Sequence, residues 1–146
     1  MKPVNLKWVY IELPTDYIRA KKNFEAAMGT RLETLKKMHL ISTKNVSKTT
    51  LLTLQREVAS KAAQERDPIL YSAMSVVAQC IKISHALELL QSQGPRQTIE
   101  YINKMKTEDQ TKAVKVILAD ENFRMAENIH NFIAEEKLKH PKLEEL

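Results

Sequence analysis

The stretch DPILYSAMSVVAQCIKISHALELLQSQG, from Asp67 to Gly94, decides the fold. Asp67 before Pro68 is a helix start signal, because an aspartate caps the free amides of a first turn and proline suits the first helical position. Apolar residues surround most of the helix over about 68–93, and Gly94 ends it. A helix that is apolar nearly all round is buried among other helices. The stretch therefore predicts the central helix of an all-α bundle.

Apolar residues at helical spacing predict further helices on both sides of this central helix. The first begins at the cap Thr15, and the fifth begins at Thr107, which has capping-box spacing to Gln110. The expected fold is an all-α bundle of five to six helices with a long central buried helix. The predicted helices cover about 16–38, 48–65, 68–93, 95–106, a fifth segment that starts at Thr107 and, after the cap Asp120, about 121–138.

The segment KWVYIEL, residues 7–13, is the one strand-like run of the sequence. Its β-branched and aromatic residues alternate with others, and Pro14 ends it. Because one strand cannot form a sheet, we expect a short extended arm that precedes the bundle and has its natural partners elsewhere. The arm indicates that the chain is a piece of a larger protein.

The composition fits one helical domain. A chain of 146 residues buries about two-thirds of its unfolded surface, and 43% hydrophobic residues with only 2 glycines favour packed helices. Cys80 is the one cysteine, so a disulfide framework and a cysteine-pair zinc site are both excluded. No stretch predicts a signal peptide or a membrane span, because polar and charged residues interrupt even the longest apolar segment. We expect a soluble intracellular protein in a reducing compartment.

Positive charge is concentrated in the first half of the chain. Residues 1–66 carry 13 lysines and arginines against 6 acidic residues, a net charge of +7, whereas residues 67–146 carry 10 against 12, a net charge of −2. This asymmetry favours a polyanionic partner such as nucleic acid. A solubilising basic surface is the alternative, since lysine-rich helices also occur in proteins that bind no polyanion.

The sequence contains no pattern typical of a catalytic, metal or nucleotide site. Neither glycine is followed by the lysine and hydroxyl residue of a phosphate-binding loop, and the four histidines share no ligand spacing with one another or with Cys80. Asp120 is better explained as a helix cap than as the start of a helicase metal-binding box. His85 is expected to pack with a local hydrogen bond or to lie at a polar interface. An independent small enzyme therefore has little support.

Outward-facing rows of basic and hydroxyl side chains are the main functional signal. Lysine and arginine neutralise phosphates and threonine hydroxyls donate to phosphate oxygens, while no base-reading array accompanies them. Binding should therefore follow the shape of a nucleic-acid backbone, although each row alone is also typical of a solvated face. The candidate residues are Arg19, Lys22 and Lys37 in the first helix, Thr49, Thr53 and Arg56 with Ser60 in the second, and Lys112 and Lys115 near the fifth. Lys104 and Lys106 gather around the same corner as Lys112 and Lys115.

Five short stretches occur in a characteristic order: LYSAM (70–74), KISHALELLQSQG (82–94), YINKM (101–105), TKA (111–113) and HPKLEEL (140–146). Together they resemble the helical insertion domain of archaeal Hef and FANCM-type superfamily 2 DNA helicases. The resemblance implies a thumb-like helical domain inserted between two RecA-like motor domains. Residues 1–14 would form the extended connection from the first motor domain, 15–139 the insertion domain, and 140–146 the connection to the second.

The resemblance also implies a function. The domain would bind branched, forked or duplex DNA through backbone contacts without catalysis, and help couple the motor domains to DNA repair or stalled-fork processing. No cofactor is expected in this chain, because ATP and magnesium would bind in the flanking motor domains of the parent ATP-dependent helicase. Expected partners are DNA, those RecA-like domains and a replication clamp, without a membrane, in a cytoplasmic, nucleoid-associated location. The motif residues His85, Leu87, Leu90 and Gln93 are assigned to packing or interdomain contact.

A protein-interaction module is the alternative function. In it, the acidic last helix and exposed apolar residues would dock a motor domain or a replication partner, without direct DNA binding. This alternative predicts negligible affinity of the chain for DNA.

Overall fold

The computed structural model describes the backbone of residues 14–139 and the side chains of residues 15–131. Within this range the chain is an all-α bundle without strands, as predicted. The expected extended arm, apart from Pro14, and the HPKLEEL segment lie outside the described residues. The six helices are α1 (Pro14–Lys37), α2 (Lys48–Glu65), α3 (Pro68–Ser92), α4 (Pro95–Glu108), α5 (Lys112–Ala119) and α6 (Glu121–Lys139).

Helix α3 is the centre of the bundle. Helices α1, α2, α4 and α5 all pack on it, and α6 packs on α1, α4 and α5. Among the described helices, α3 alone is long and apolar enough by composition to cross a membrane. Its contacts with four other helices are those of a core helix, which explains its hydrophobicity without a membrane.

The core consists of two clusters along α3. The terminal cluster contains Phe24, Ala27, Ile83, Ala86, Leu90, Ile102, Met105, Val114, Ile117, Phe123 and Ala126. The distal cluster contains Leu32, Leu35, Leu51, Leu54, Val58, Ala73, Val77 and Cys80. Each buried leucine, isoleucine or phenylalanine in them contributes about 2 kcal/mol from the apolar surface it removes from water. Five helices share the first cluster, whereas α2 contributes only to the second.

Contacts of α1 fix the directions of the helices. The Phe24 ring lies 5.2 Å from the rings of both Phe123 and His130, while Arg31 reaches back to Asp120 at 2.9 Å, so α1 and α6 are antiparallel. Antiparallel helices bring Pro14 and Lys139 to the same end of the bundle, which we call the terminal end. The opposite end, with the turn between α2 and α3, is the distal end.

Two predicted helix starts were wrong. Helix α1 begins at Pro14, so Thr15 lies inside its first turn, and proline at the first helical position replaces the expected threonine cap. Thr107 lies inside α4, where its hydroxyl donates to the carbonyls of Asn103 and Lys104 at 3.3 and 3.2 Å. The cap of α5 is Thr111, whose hydroxyl accepts the amide of Val114. The capping-box spacing from Thr107 does not mark the end of α4, because buried Met105 extends the core-facing side of that helix by another turn.

The beginning of α3 departs from the expected burial. Asp67 caps this helix as predicted, accepting the amide of Ile69 at 2.9 Å. Ile69, however, is 63% exposed, and Tyr71 is 50% exposed. The first turn of α3 therefore protrudes beyond the helices that bury the rest of it. The core residues predicted on α2, namely Leu51, Leu54, Val58 and Ala62, are all buried.

The two glycines of the chain should respond oppositely to alanine. Gly94 precedes α4 with φ 99° and ψ 177°, a conformation that L side chains rarely adopt. Gly29 lies inside α1, and a Cβ atom added there meets nothing within 4 Å. We expect Gly94→Ala to lower the free energy of unfolding by about 2 kcal/mol and Gly29→Ala to raise it by roughly 0.5–1 kcal/mol. Urea unfolding of both variants measures this; equal effects of the same sign would contradict it.

His130 is a buried histidine at the terminal end of the core. Its Nδ1–H donates to the carbonyl of Ala126 at 2.6 Å, and its Nε2 has no partner among the described residues. Burial lowers the pKa of His130 to about 4, against opposing contributions from the Ala126 carbonyl and Glu127. The histidine is therefore neutral in the folded chain at pH 5, whereas the unfolded chain is protonated below an ordinary pKa of about 6.5.

Stability should consequently fall as the pH drops from about 6.5 towards 4. Between pH 7 and pH 5 we expect the free energy of unfolding to decrease by about 2 kcal/mol, since only the unfolded chain binds the proton. Urea unfolding at the two pH values tests this, with His130→Leu as the comparison. If the leucine variant loses as much stability at pH 5 as the unchanged chain, another group is responsible.

Candidate nucleic-acid interface

The predicted row on α2 lies on its outward face. Thr49, Thr53, Arg56 and Ser60 are all exposed, on the side opposite the buried positions Leu51, Leu54, Val58 and Ala62. Helical spacing of three and four residues aligns the row along one side of the helix. Side chains in this row can contact a ligand that runs along α2.

A shallow groove accompanies this row where the segment 38–47 returns along α2. Helix α1 ends at Lys37, the φ of 63° at His39 then turns the chain, and the amide of Leu40 bonds to the carbonyl of Leu35 at 3.0 Å. Lys44 pairs with Glu33 at 3.1 Å and holds the segment against α1. The resulting groove of about 260 Å³ is lined by Leu40, Ile41, Thr49, Thr50, Thr53, Leu54 and Glu57.

The predicted cations of α1 are exposed but spread along the helix. Arg19 and Lys37 are separated by five helical turns, so they share one side of α1 at a distance of about 27 Å. Lys22 lies about 60° from Arg19 around the helix. Arg19 donates to Asp16 at 3.2 Å, which partly neutralises its charge.

Lys112 and Lys115 lie apart from the other candidates. Both are exposed on α5, which packs on α3, α4 and α6. Lys106 of the same predicted corner pairs with Glu127 of α6. The candidates therefore occupy α1, α2 and α5, and the structure does not gather them into one site.

Ion pairing distinguishes the cations that are available to a polyanion. Lys44, Lys48, Lys82 and Lys106 each lie within 4.0 Å of a carboxylate. Seven of the cations without such a neighbour among the described residues lie between 15 and 66, and four lie beyond. The first group is Lys21, Lys22, Lys36, Lys37, Arg56, Lys61 and Arg66; the second is Lys104, Lys112, Lys115 and Arg124. The free positive charge thus follows α1 and α2.

Side chains suited to catalysis or metal binding are not grouped in the described part of the chain. Residues 15–131 contain no cluster of three or more histidine, cysteine, aspartate or glutamate side chains that could hold a metal ion. Burial raises the pKa of the Cys80 thiol to about 12, so this cysteine is no nucleophile.

Comparison with known proteins adds the family. A sequence model of the family described as "Putative ATP-dependent RNA helicase, helical bundle" matches residues 17–137, which is nearly the whole bundle. The chain belongs to this helicase helical-bundle family. The match begins in the first turns of α1 and ends within α6, so the family's unit is the same six-helix bundle.

One relative in sequence and one solved structure are similar to the chain. "Putative ATP-dependent RNA helicase MJ1505" of Methanocaldococcus jannaschii is 35% identical over 141 residues, which cover 96% of this chain and 17% of that protein. The crystal structure of the Pyrococcus furiosus Hef helicase domain has the same fold, with a TM-score of 0.75 and 24% identity over 85% of this chain and 27% of that one. The chain thus spans about a sixth of the curated relative, and the predicted resemblance to Hef is confirmed for the fold.

The motif histidine of this helicase helical bundle packs with a local partner and also lies at a polar contact between helices, so it combines the two expected environments. His85 is partly exposed, and its ring packs edge-on against Tyr101 with centroids 4.6 Å apart. Its Nδ1 lies 3.2 Å from Lys48 Nζ on α2 and 3.4 Å from the Glu88 carboxylate on α3, so a partner distant in sequence joins a local one. Lys48 also donates to Glu88 at 3.1 Å, and this hydrogen bond lowers the pKa of the Glu88 carboxyl. His85 therefore connects α2, α3 and α4.

A buried charge network in the helicase helical bundle was not predicted. Arg31 is 7% exposed; its Nε donates to Gln79 at 2.7 Å and its Nη1 donates to Asp120 at 2.9 Å. The second carboxylate oxygen of Asp120 accepts the amide of Phe123 at 3.0 Å, which confirms its predicted role as the cap of α6. The network joins α1, α3 and α6 and fixes the outward face of α1.

Proposed function

We propose that this helicase helical bundle is a non-catalytic domain that binds branched or duplex DNA through phosphate contacts, next to flanking RecA-like motor domains. The observation that carries the proposal is the exposed row on α2, Thr49, Thr53, Arg56 and Ser60, together with exposed cations of α1 that no described carboxylate neutralises. Hydroxyls and cations in such rows contact phosphates without reading bases. Binding should therefore favour nucleic-acid shape over sequence.

DNA is the proposed nucleic acid because of the likeness to Hef, although the names of the family and of the archaeal relative refer to RNA helicases. Phosphate contacts alone do not separate the two, since the 2′-hydroxyl distinguishes RNA. RNA of matched sequence is therefore an arm of the test.

The catalytic activity would reside outside this bundle. ATP and magnesium would bind in the motor domains, and their hydrolysis would move the bundle along branched DNA during repair or the processing of stalled forks. A cytoplasmic, nucleoid-associated location and a replication clamp as an additional partner belong to the same proposal. The length of the archaeal relative supports this division of roles, because the chain spans only 17% of that protein.

Fluorescence anisotropy of the 146-residue chain with forked, duplex and single-stranded DNA, and with the matched RNAs, tests the proposal. We expect fork and duplex to bind best, with an affinity that falls steeply as salt increases, because each neutralised phosphate contributes about −0.9 to the slope of log K against log salt. If the chain prefers the RNA duplex, RNA replaces DNA as the proposed ligand. Lack of binding to every nucleic acid at low salt would overturn the function.

Docking on the motor domains is the second candidate function, and exposed Ile18 favours it. This side chain is 48% exposed in the second turn of α1, at the terminal end where Pro14 and Lys139 lie together. Flanking domains joined to Pro14 and Lys139 would lie nearest to this surface. The candidate predicts that the isolated chain binds no DNA, and that a protein containing the motor domains protects Ile18 from solvent.

A further inference from the structure

The distal end carries the two most exposed large apolar side chains of the described residues. Ile69 is 63% exposed and Tyr71 is 50% exposed, both in the first turn of α3. Exposed apolar and aromatic side chains of this size mark a contact surface when other features point to a ligand. The terminal end, by contrast, is where the chain enters and leaves the described bundle.

Free positive charge lies at the same end. Lys36 and Lys37 close α1, Lys61 lies in the last turns of α2, and Arg66 follows α2 directly. None of these cations has a carboxylate within 4.0 Å among residues 15–131. The turn of Arg66 and Asp67 joins the last turn of α2 to the first turn of α3, so Lys61 and Arg66 lie at the end of the bundle where Tyr71 is exposed. A polyanion that approaches the distal end therefore meets the Tyr71 ring and cationic side chains at the same end.

The turn that presents these side chains is held by its own hydrogen bonds. Arg66 adopts a left-handed conformation with φ 53°, and its amide bonds to the carbonyl of Ala62 at 2.9 Å. One residue later Asp67 caps α3 through its side chain, and its carbonyl accepts the amides of Leu70 and Tyr71. The backbone of Tyr71 is therefore held in place before a ligand binds, which lowers the entropic cost of the contact.

We infer that the distal end contacts unpaired bases at the branch point of DNA, with Tyr71 stacking on a base. The inference rests on the proposed function and assigns it a site. Aromatic side chains stack on bases of any sequence, while cations at the same end of the bundle bind the adjoining phosphates. Fully paired duplex offers the phosphates but only few accessible base faces, so the contact distinguishes branched DNA from duplex.

The test uses forked DNA with 2-aminopurine at the first unpaired position, and blunt duplex of the same sequence. We expect Tyr71→Ala to weaken fork binding about tenfold and to abolish the change in 2-aminopurine fluorescence on binding, because one stacking contact is lost. Binding to blunt duplex should stay unchanged. Tyr71→Phe keeps the ring and should retain both fork affinity and fluorescence change. Met125→Ala, which removes a 42% exposed side chain from α6, is the matched control.

The outcomes separate this inference from the proposed function. If the unchanged chain binds no DNA, the proposed function fails and the inference with it. If fork binding is strong but indifferent to Tyr71→Ala, only the site at the distal end is wrong. Equal losses on fork and duplex would also overturn base stacking, since a phosphate contact would then explain the result. Circular dichroism of Tyr71→Ala should match that of Tyr71→Phe, which excludes loss of folding.

Discussion

Asp120→Ala should lower the free energy of unfolding by about 4 kcal/mol, a large part of the 5–15 kcal/mol typical of a domain. The substitution leaves the Arg31 guanidinium buried without its carboxylate, because only Gln79 and the Ala27 carbonyl remain as partners. It also removes the cap of α6, which alone contributes about 1 kcal/mol. Urea unfolding followed by circular dichroism measures the loss.

Two variants separate the causes. Asp120→Asn keeps a capping oxygen and loses the charge, so it should recover about 1 kcal/mol of the loss. Arg31→Met combined with Asp120→Ala should recover more, since it removes the uncompensated charge from the core. Asp16→Ala breaks the exposed pair with Arg19 and serves as the control, with an expected cost below about 1 kcal/mol. If Asp120→Ala lost as little stability as this control, the result would show that water solvates Arg31.

Charge reversal of Lys22, Lys37 and Arg56 should weaken binding to forked DNA by about 100-fold or more near physiological salt. These three predicted cations are exposed and have no carboxylate within 4.0 Å among residues 15–131. The slope of log K against log salt should become shallower by about 3, because each lost phosphate contact removes about 0.9. Anisotropy titrations at several salt concentrations give both quantities.

Reversal of Arg96, Lys104 and Arg124 is the matched control, since it changes the net charge equally on α4 and α6. We expect this control to weaken binding only slightly, through the overall field of the molecule. If both triple variants lose the same affinity, net charge rather than the face of α1 and α2 attracts DNA. If neither loses affinity, the predicted residues are not part of the interface.

The helices were predictable because their signals are local. Asp67 followed by Pro68, and apolar residues at helical spacing, depend only on neighbours in sequence, and the bounds of α2 agree with the prediction. The start of α5 was missed because Thr107 and Thr111 both offer a capping hydroxyl. Only the packing of Met105 against the core decides between them, and this contact is not local.

The buried polar residues were harder to predict, although spacing contained a signal. Arg31 lies four residues after Ala27 and four before Leu35, on the buried stripe of α1, and His130 lies seven after Phe123 on that of α6. Charged and polar side chains such as these are mostly exposed in folded proteins. Their burial depends on partners far away in sequence, such as Gln79 and Asp120 for Arg31. The candidate interface is less predictable still, because rows on separate helices meet only through tertiary structure.

Helix α2 touches the rest of the bundle mainly through α3, whereas α3, α4, α5 and α6 share the terminal cluster with α1. The free energy of local opening therefore differs between parts of the bundle. Helix α2 can separate from α3 by breaking only the distal cluster and the contacts of Lys48. Amide hydrogens of α2 should exchange with solvent before those in the second half of α3. The proposed DNA-binding row thus lies on the cooperative unit that unfolds first, and a bound phosphate backbone would slow its exchange more than that of any other helix.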